Sequence, residues 1–87
     1  MKRKQDPIQR ITNLKGVGNR VRELRVYRGL SQTDMVDRLQ SSASGHSKLE
    51  AGRVAFPRNI HKIAKVLKCN PAWLQFGEAY AEPRIQE

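Results

Sequence analysis

The side chains with the most chemistry to offer in this chain are cationic and hydroxylic. Its 87 residues carry 17 lysines and arginines against 8 aspartates and glutamates, a formal charge of +9, with a run of small polar residues, SSASGHSK, at 41–48. Lysine and arginine neutralise phosphates and release condensed counterions. Serine hydroxyls donate or accept at base edges, and a lysine can reach guanine O6 or N7. Charge position sharpens the reading: residues 1–28 hold nine basic and two acidic side chains, residues 29–56 three of each, and residues 57–87 five and three. Cationic shoulders around a neutral middle suit a division of labour in which the shoulders hold phosphates and the middle meets base edges.

Other chemistries find less support. His46, His61 and Cys69 invite a metal or catalytic reading, but a zinc site needs about four ligands in short recurrent spacings, and none occur. Cys69 follows a helix of core spacing and is read as a small buried hydrophobe, and His61 is placed on the solvent face of its helix. A lone cysteine forms no internal disulfide, which suits a reducing, cytoplasmic setting. No apolar run approaches the roughly 20 residues of a membrane span, and the basic start Met1 to Lys4 lacks the apolar stretch of a signal peptide. No Ser, His and acid arrangement, phosphate loop or carboxylate pair stands out. Neither an enzyme, a cofactor nor a small-molecule ligand is expected.

The elements that position the polar run are helical. Asp6-Pro7 can open a short helix over 7–15, after a basic tail. A second helix spans about Asn19 to Arg28 with Val17, Val21 and Leu24 as its buried stripe and Gly29 at its end; Leu30 then enters the core. Ser31 is a natural N-cap, with Asp34 in the first turn and Met35, Val36 and Leu39 facing inward. Ser41 or Ser42 caps a helix from Ala43 to Ala51 that Gly52 closes. After Pro57, residues Asn59 to Lys68 repeat Ile60, Ile63, Ala64 and Leu67 at helical spacing, and Asn70-Pro71 opens a last short helix with Trp73 and Leu74 that stops at Gly77. Residues 78–87 contain Pro83 and no periodicity, and read as a tail or linker. The fold class is all-α, with residues 1–17 a basic extension and 18–77 one small domain.

Residues 18–77 resemble the helix-turn-helix domain of lambdoid phage repressors and Cro proteins, the group often called the xenobiotic-response-element family. Four pieces carry the resemblance in order: Asn19 to Arg28 with Arg25; Gly29-Leu30-Ser31-Gln32; Leu49-Glu50-Ala51-Gly52-Arg53; and Pro57-Arg58, Ile60 to Leu67 and Asn70 to Gly77. The resemblance implies a compact five-helix domain whose third helix lies in the major groove while the second braces across the backbone. It places Ala43, Ser44, Ser47 and Lys48 at base edges, Gln32 at a phosphate and against the third helix, and Arg53 and Arg58 at backbone and narrow minor groove. Ser42, Arg20 and Lys4 complete the expected backbone contacts, Lys4 as part of a basic arm. Arg25 and Glu50 fall where the family pairs an arginine with a glutamate, a structural ion pair.

The chain also departs from that pattern. Val36 stands where the family usually has alanine, Gln40 where the turn usually has glycine, and Ser41 and His46 at positions usually apolar and buried. Gly45 inside the third helix costs about 1 kcal/mol in propensity. The third helix is thus expected to start late or fray, to bury His46 with its ring hydrogen-bonded, or to have a partly retired reading surface. The resemblance implies a transcriptional repressor of phage or bacterial type that occupies a double-stranded DNA operator as a weak homodimer, tightened on DNA, with Leu74, Phe76 and Tyr80 as candidate contacts. An alternative on the same fold is a protein-interaction module, of antitoxin or coactivator-like adaptor type, with weak DNA binding. Residues 78–87 suit either the end of a one-domain protein or the linker of a two-domain repressor.

Overall fold

The computed structural model describes residue 11 and residues 14–85, and three of its helices begin where a short polar side chain takes up a free backbone N–H group. The helices are α1 Val17–Tyr27, α2 Gln32–Leu39, α3 Ala43–Glu50, α4 Ile60–Leu67 and α5 Pro71–Phe76, with no strand among the described residues. Ser31 forms a full capping box at the start of α2: its Oγ accepts from the Asp34 N–H at 3.0 Å while Asp34 Oδ2 accepts from the Ser31 N–H at 2.8 Å. Those bonds hold the exposed Asp34 carboxyl below the usual carboxylate range. Ser42 caps α3 by accepting from the Gly45 N–H at 2.9 Å, and Asn70 caps α5, whose first residue is Pro71, by accepting from the Ala72 N–H at 3.0 Å. Of the expected N-terminal helix over 7–15, only Ile11, Leu14 and Lys15 belong to the described residues, and Ile11 is buried in the core.

The apolar stripes converge as their spacing requires. Val17, Val21 and Leu24 of α1 meet Met35 and Leu39 of α2, Leu49 of α3, Ile63, Ala64 and Leu67 of α4, and Trp73 and Leu74 of α5. Helix α1 touches α3, α4 and α5, α2 packs on α3 and α4, and α4 pairs with α5. The crossing of α1 over the end of α3 is close enough that a Cβ at Gly18 would overlap the Leu49 carbonyl oxygen. Only a hydrogen fits there.

Cations seal the helix C-termini from other helices. Arg28 donates from Nε to the Leu67 carbonyl at 3.0 Å and from Nη2 to the Lys68 carbonyl at 3.3 Å, at the end of α4. Lys62 Nζ donates to the Leu39 carbonyl at 3.0 Å, at the end of α2. There Gln40 adopts the left-handed conformation (φ 53, ψ 43) that glycine usually supplies, so the turn is held by a side chain of α4. Such contacts satisfy terminal carbonyls and place positive charge at the negative end of the helix dipole.

Two expectations need correction here. Leu74, a candidate dimer contact, is fully buried. Residues 78–85, expected as tail or linker, return to the body: the Pro83 and Glu82 carbonyls accept from the Asn70 N–H and Nδ2, each at 2.8 Å, and Ala81 and Ile85 pack on the core. Two apolar residues anchored on one asparagine leave no periodic signature.

The Gly18 contact yields a prediction. Gly18→Ala gains about 1 kcal/mol in helix propensity but forces α1 and α3 apart, and the expected net loss is roughly 1–3 kcal/mol, measured by urea unfolding.

Candidate nucleic-acid interface

Helices α2 and α3, joined by Gln40 to Ser42, form a bihelical unit fixed from beneath by one carboxylate. Glu50, buried at the end of α3, accepts from Arg25 Nε at 2.7 Å and Nη2 at 3.0 Å, from Gln32 Nε2 at 3.1 Å, and from His46 Nε2 at 2.5 Å. Arg25 also donates from Nη1 to the Leu30 carbonyl at 2.7 Å, just ahead of α2. Burial alone would raise the Glu50 pKa, but hydrogen bonds from His46, Arg25 and Gln32, with the Arg25 charge, outweigh it and hold the group at about 2. An ionised carboxylate only accepts, so His46 Nε2 carries the bonding hydrogen. His46 is buried and hydrogen-bonded, as one of the three expectations for this helix has it, and α3 is regular from Ala43.

Gly45 also fits its place. Its N–H is the one that Ser42 Oγ receives, and a Cβ added there would stand 2.8 Å from that same oxygen. Ser41, by contrast, has its Oγ buried without a hydrogen-bonding partner among the described residues.

Around this base, Ala43, Ser44, Ser47 and Lys48 are all exposed, at i, i+1, i+4 and i+5 along α3, which puts them on one face. Gln32, at the start of α2, is exposed yet tied to Glu50, and the Ser42 hydroxyl is engaged as the cap of α3. Arg53 and Arg58 are exposed in the segment after α3. Lys4 lies outside the described residues.

Arg20 does not belong with these contacts. It is buried, and its guanidinium donates from Nε to the Leu74 carbonyl at 2.8 Å, from Nη2 to the Gln75 carbonyl at 2.9 Å, and from Nη1 to the Leu14 carbonyl at 2.9 Å. Burial lowers its pKa, and each of its three nitrogens already donates to a carbonyl inside the fold. The signal was present in the sequence: Arg20 lies three residues after Val17 and four before Leu24, on the stripe that faces the core.

The titratable residues considered for metal or catalysis stand apart. His61 is exposed, His46 belongs to Glu50, and burial pushes the Cys69 thiol up to about 12, the nearby Arg28 charge opposing it. Among the described residues no group of three or more His, Cys, Asp or Glu side chains is placed to hold a metal ion.

Two helices joined by a three-residue turn, the second seated on the first and on α1, with its outer face polar and free, make a DNA-reading arrangement. A family described as "helix-turn-helix domain" matches residues 17–75. The chain belongs to this helix-turn-helix family. The matched span runs from the first residue of α1 into α5 and takes in every residue of the Glu50 cluster.

The depressed Glu50 pKa sets a pH dependence. The folded value of about 2 lies below the ordinary 4.5, so this carboxylate stabilises the fold above pH 4.5 and loses that contribution as pH falls from about 4.5 to about 2. Thermal melts across this range are expected to show a falling Tm. Glu50→Gln, which leaves Arg25 without its charge partner, is expected to cost about 3 kcal/mol at neutral pH and to flatten the acid slope.

Proposed function

We propose that this domain is a sequence-specific, double-stranded DNA-binding regulator of transcription, of the repressor type found in lambdoid phages and bacteria. The observation that carries the reading is the seating of α3: Arg25, Gln32 and His46 converge on Glu50 beneath it while Ala43, Ser44, Ser47 and Lys48 stay exposed. In the major groove, the Ser44 and Ser47 hydroxyls would donate to or accept from base edges and Lys48 would reach guanine O6 or N7. Gln32, Ser42, Arg53 and Arg58 would meet the backbone, and the positive N-terminal ends of α2 and α3 favour phosphate nearby. Occupying a promoter and excluding polymerase is the repression step that this reading implies.

No long amide or guanidinium stands on the reading face of α3, so each half-site is read modestly and a second copy is needed for selectivity. Phe56, Phe76 and Tyr80 supply the apolar surface for a weak homodimer, tightened on DNA. They are exposed by 71%, 54% and 78%, and Phe76 and Tyr80 meet edge-on at 6.1 Å between centroids. With Leu74 buried, this exposed trio takes its place as the self-association surface.

Selection of bound duplexes from a randomised library, followed by salt titration of the winner, tests the reading. A two-fold symmetric motif is expected. Failure to enrich any sequence, with binding that fades steadily as salt rises, would overturn it in favour of non-specific electrostatics. Lys48→Ala is expected to lose about 1–3 kcal/mol of discrimination at one base position; an equal loss on all sequences would move Lys48 to the backbone contacts. Arg58→Ala is expected to weaken all sequences alike and to lower the salt slope by about one.

A further inference from the structure

Where α2 and α3 begin side by side, Gln32, Thr33, Val36 and Ala43 line a cleft of about 140 Å³ with walls mostly of carbon. Ala43 is the first residue of α3, and Gln32 and Thr33 are the first two of α2. Three of the four lining residues are exposed and Val36 is half-buried. Gln32 Nε2 already donates one of its two hydrogens to Glu50 Oε1 at 3.1 Å, which fixes the orientation of its amide. Val36 and Ala43 carry no polar side-chain atom. Among the side chains of the cleft, the Thr33 hydroxyl and the second Nε2 hydrogen of Gln32 remain as donors.

On the DNA-binding reading above, Ala43 faces base edges while Gln32 beside it meets the backbone, so the cleft lies where a base edge borders the phosphates. A polar base edge pressed against carbon would lose water without gaining a partner. The apolar group that a base edge presents in the major groove is the C5-methyl of a pyrimidine, as in thymine. Val36 fits the same role: its branched side chain lines the cleft where an alanine would offer less surface. Resting on the DNA-binding reading, we infer that the Thr33, Val36 and Ala43 cleft receives the C5-methyl group of a pyrimidine, giving each half-site one methyl-dependent position.

The test uses the full chain and the duplex enriched by selection. Replacing every thymine with deoxyuridine removes methyl groups and leaves every hydrogen-bonding group on the base edges in place. Affinity is expected to fall about fourfold per seated methyl, the equivalent of one methylene returned to water, and single replacements are expected to trace the loss to one position per half-site. At that position, 5-methylcytosine is compared with cytosine. Tighter binding of the methylated base shows that the methyl suffices, whereas rescue by thymine alone assigns the cleft to thymine. Val36→Thr and Ala43→Ser each add a hydroxyl with little change in volume, and are expected to shrink the difference between thymine and deoxyuridine while circular dichroism reports an unchanged helical fold. A duplex bound equally well with deoxyuridine throughout overturns the methyl receptor but leaves sequence-specific binding standing. A deoxyuridine penalty that both variants retain in full places its cause elsewhere, such as altered DNA flexibility, and overturns the assignment to this cleft. No enriched duplex at all overturns both.

Discussion

A carboxylate can be buried at the meeting point of three helices only if its charge is answered there, and Glu50 is answered from all three. Arg25 reaches it from α1, Gln32 from α2 and His46 from its own helix. Removing one partner would leave a buried group unsatisfied, which costs more than the lost bond itself. The angle at which α3 leaves the body is therefore set by charge and hydrogen-bond geometry as much as by apolar contact. Gly18 supplies the complementary constraint. Two turns before Arg25 on α1, it lets the helix backbone close on the Leu49 and Glu50 carbonyls. The end of α3 is held at two points along a single helix, and its outer face is left free.

The surplus of positive charge has two destinations. Arg20, Arg25, Arg28 and Lys62 turn toward backbone carbonyls or Glu50 inside the fold. Lys48, Arg53 and Arg58 are exposed around the reading unit. Counting cations overstates what is offered to a polyanion, because an arginine sealing a helix terminus contributes little directed attraction at the surface. Much of the positive shoulder at residues 1–28 is, among its described members, internal scaffolding.

The helices were legible because their signals are local. Ser31 with Asp34, and Asn70 with Pro71, mark helix starts through bonds that span two or three residues, and the stripes of α1 and α4 follow from period alone. Helix α1 begins at Val17, two residues ahead of the expected Asn19, since Gly16 and not a capping side chain precedes it. The Arg25 and Glu50 pairing came from resemblance, because nothing in either residue type names a partner 25 positions away. The spacing of Arg20 on the core stripe signalled its burial, but its partners and those of Lys62 were missed for a related reason: each binds backbone carbonyls, which every residue possesses and no sequence pattern advertises. Residues 78–85 escaped notice because two apolar side chains carry no period. Ala43, Ser44, Ser47 and Lys48 could be placed on one face of α3, but which atoms each would meet depends on a partner molecule, and no sequence of one chain encodes that geometry alone.

The guanidinium of Arg20 has a consequence for how the chain becomes a domain. Its carbonyl partners Leu74 and Gln75 come 54 and 55 residues later, so during synthesis α1 is complete long before the groups that satisfy its buried charge exist. Until α5 arrives, a cation sits where the core must close, and a nascent chain ending within α4 has no way to shield it except to keep that region open to water. The first helix thus waits for the last, and closure of the domain becomes a single late event rather than a gradual accretion.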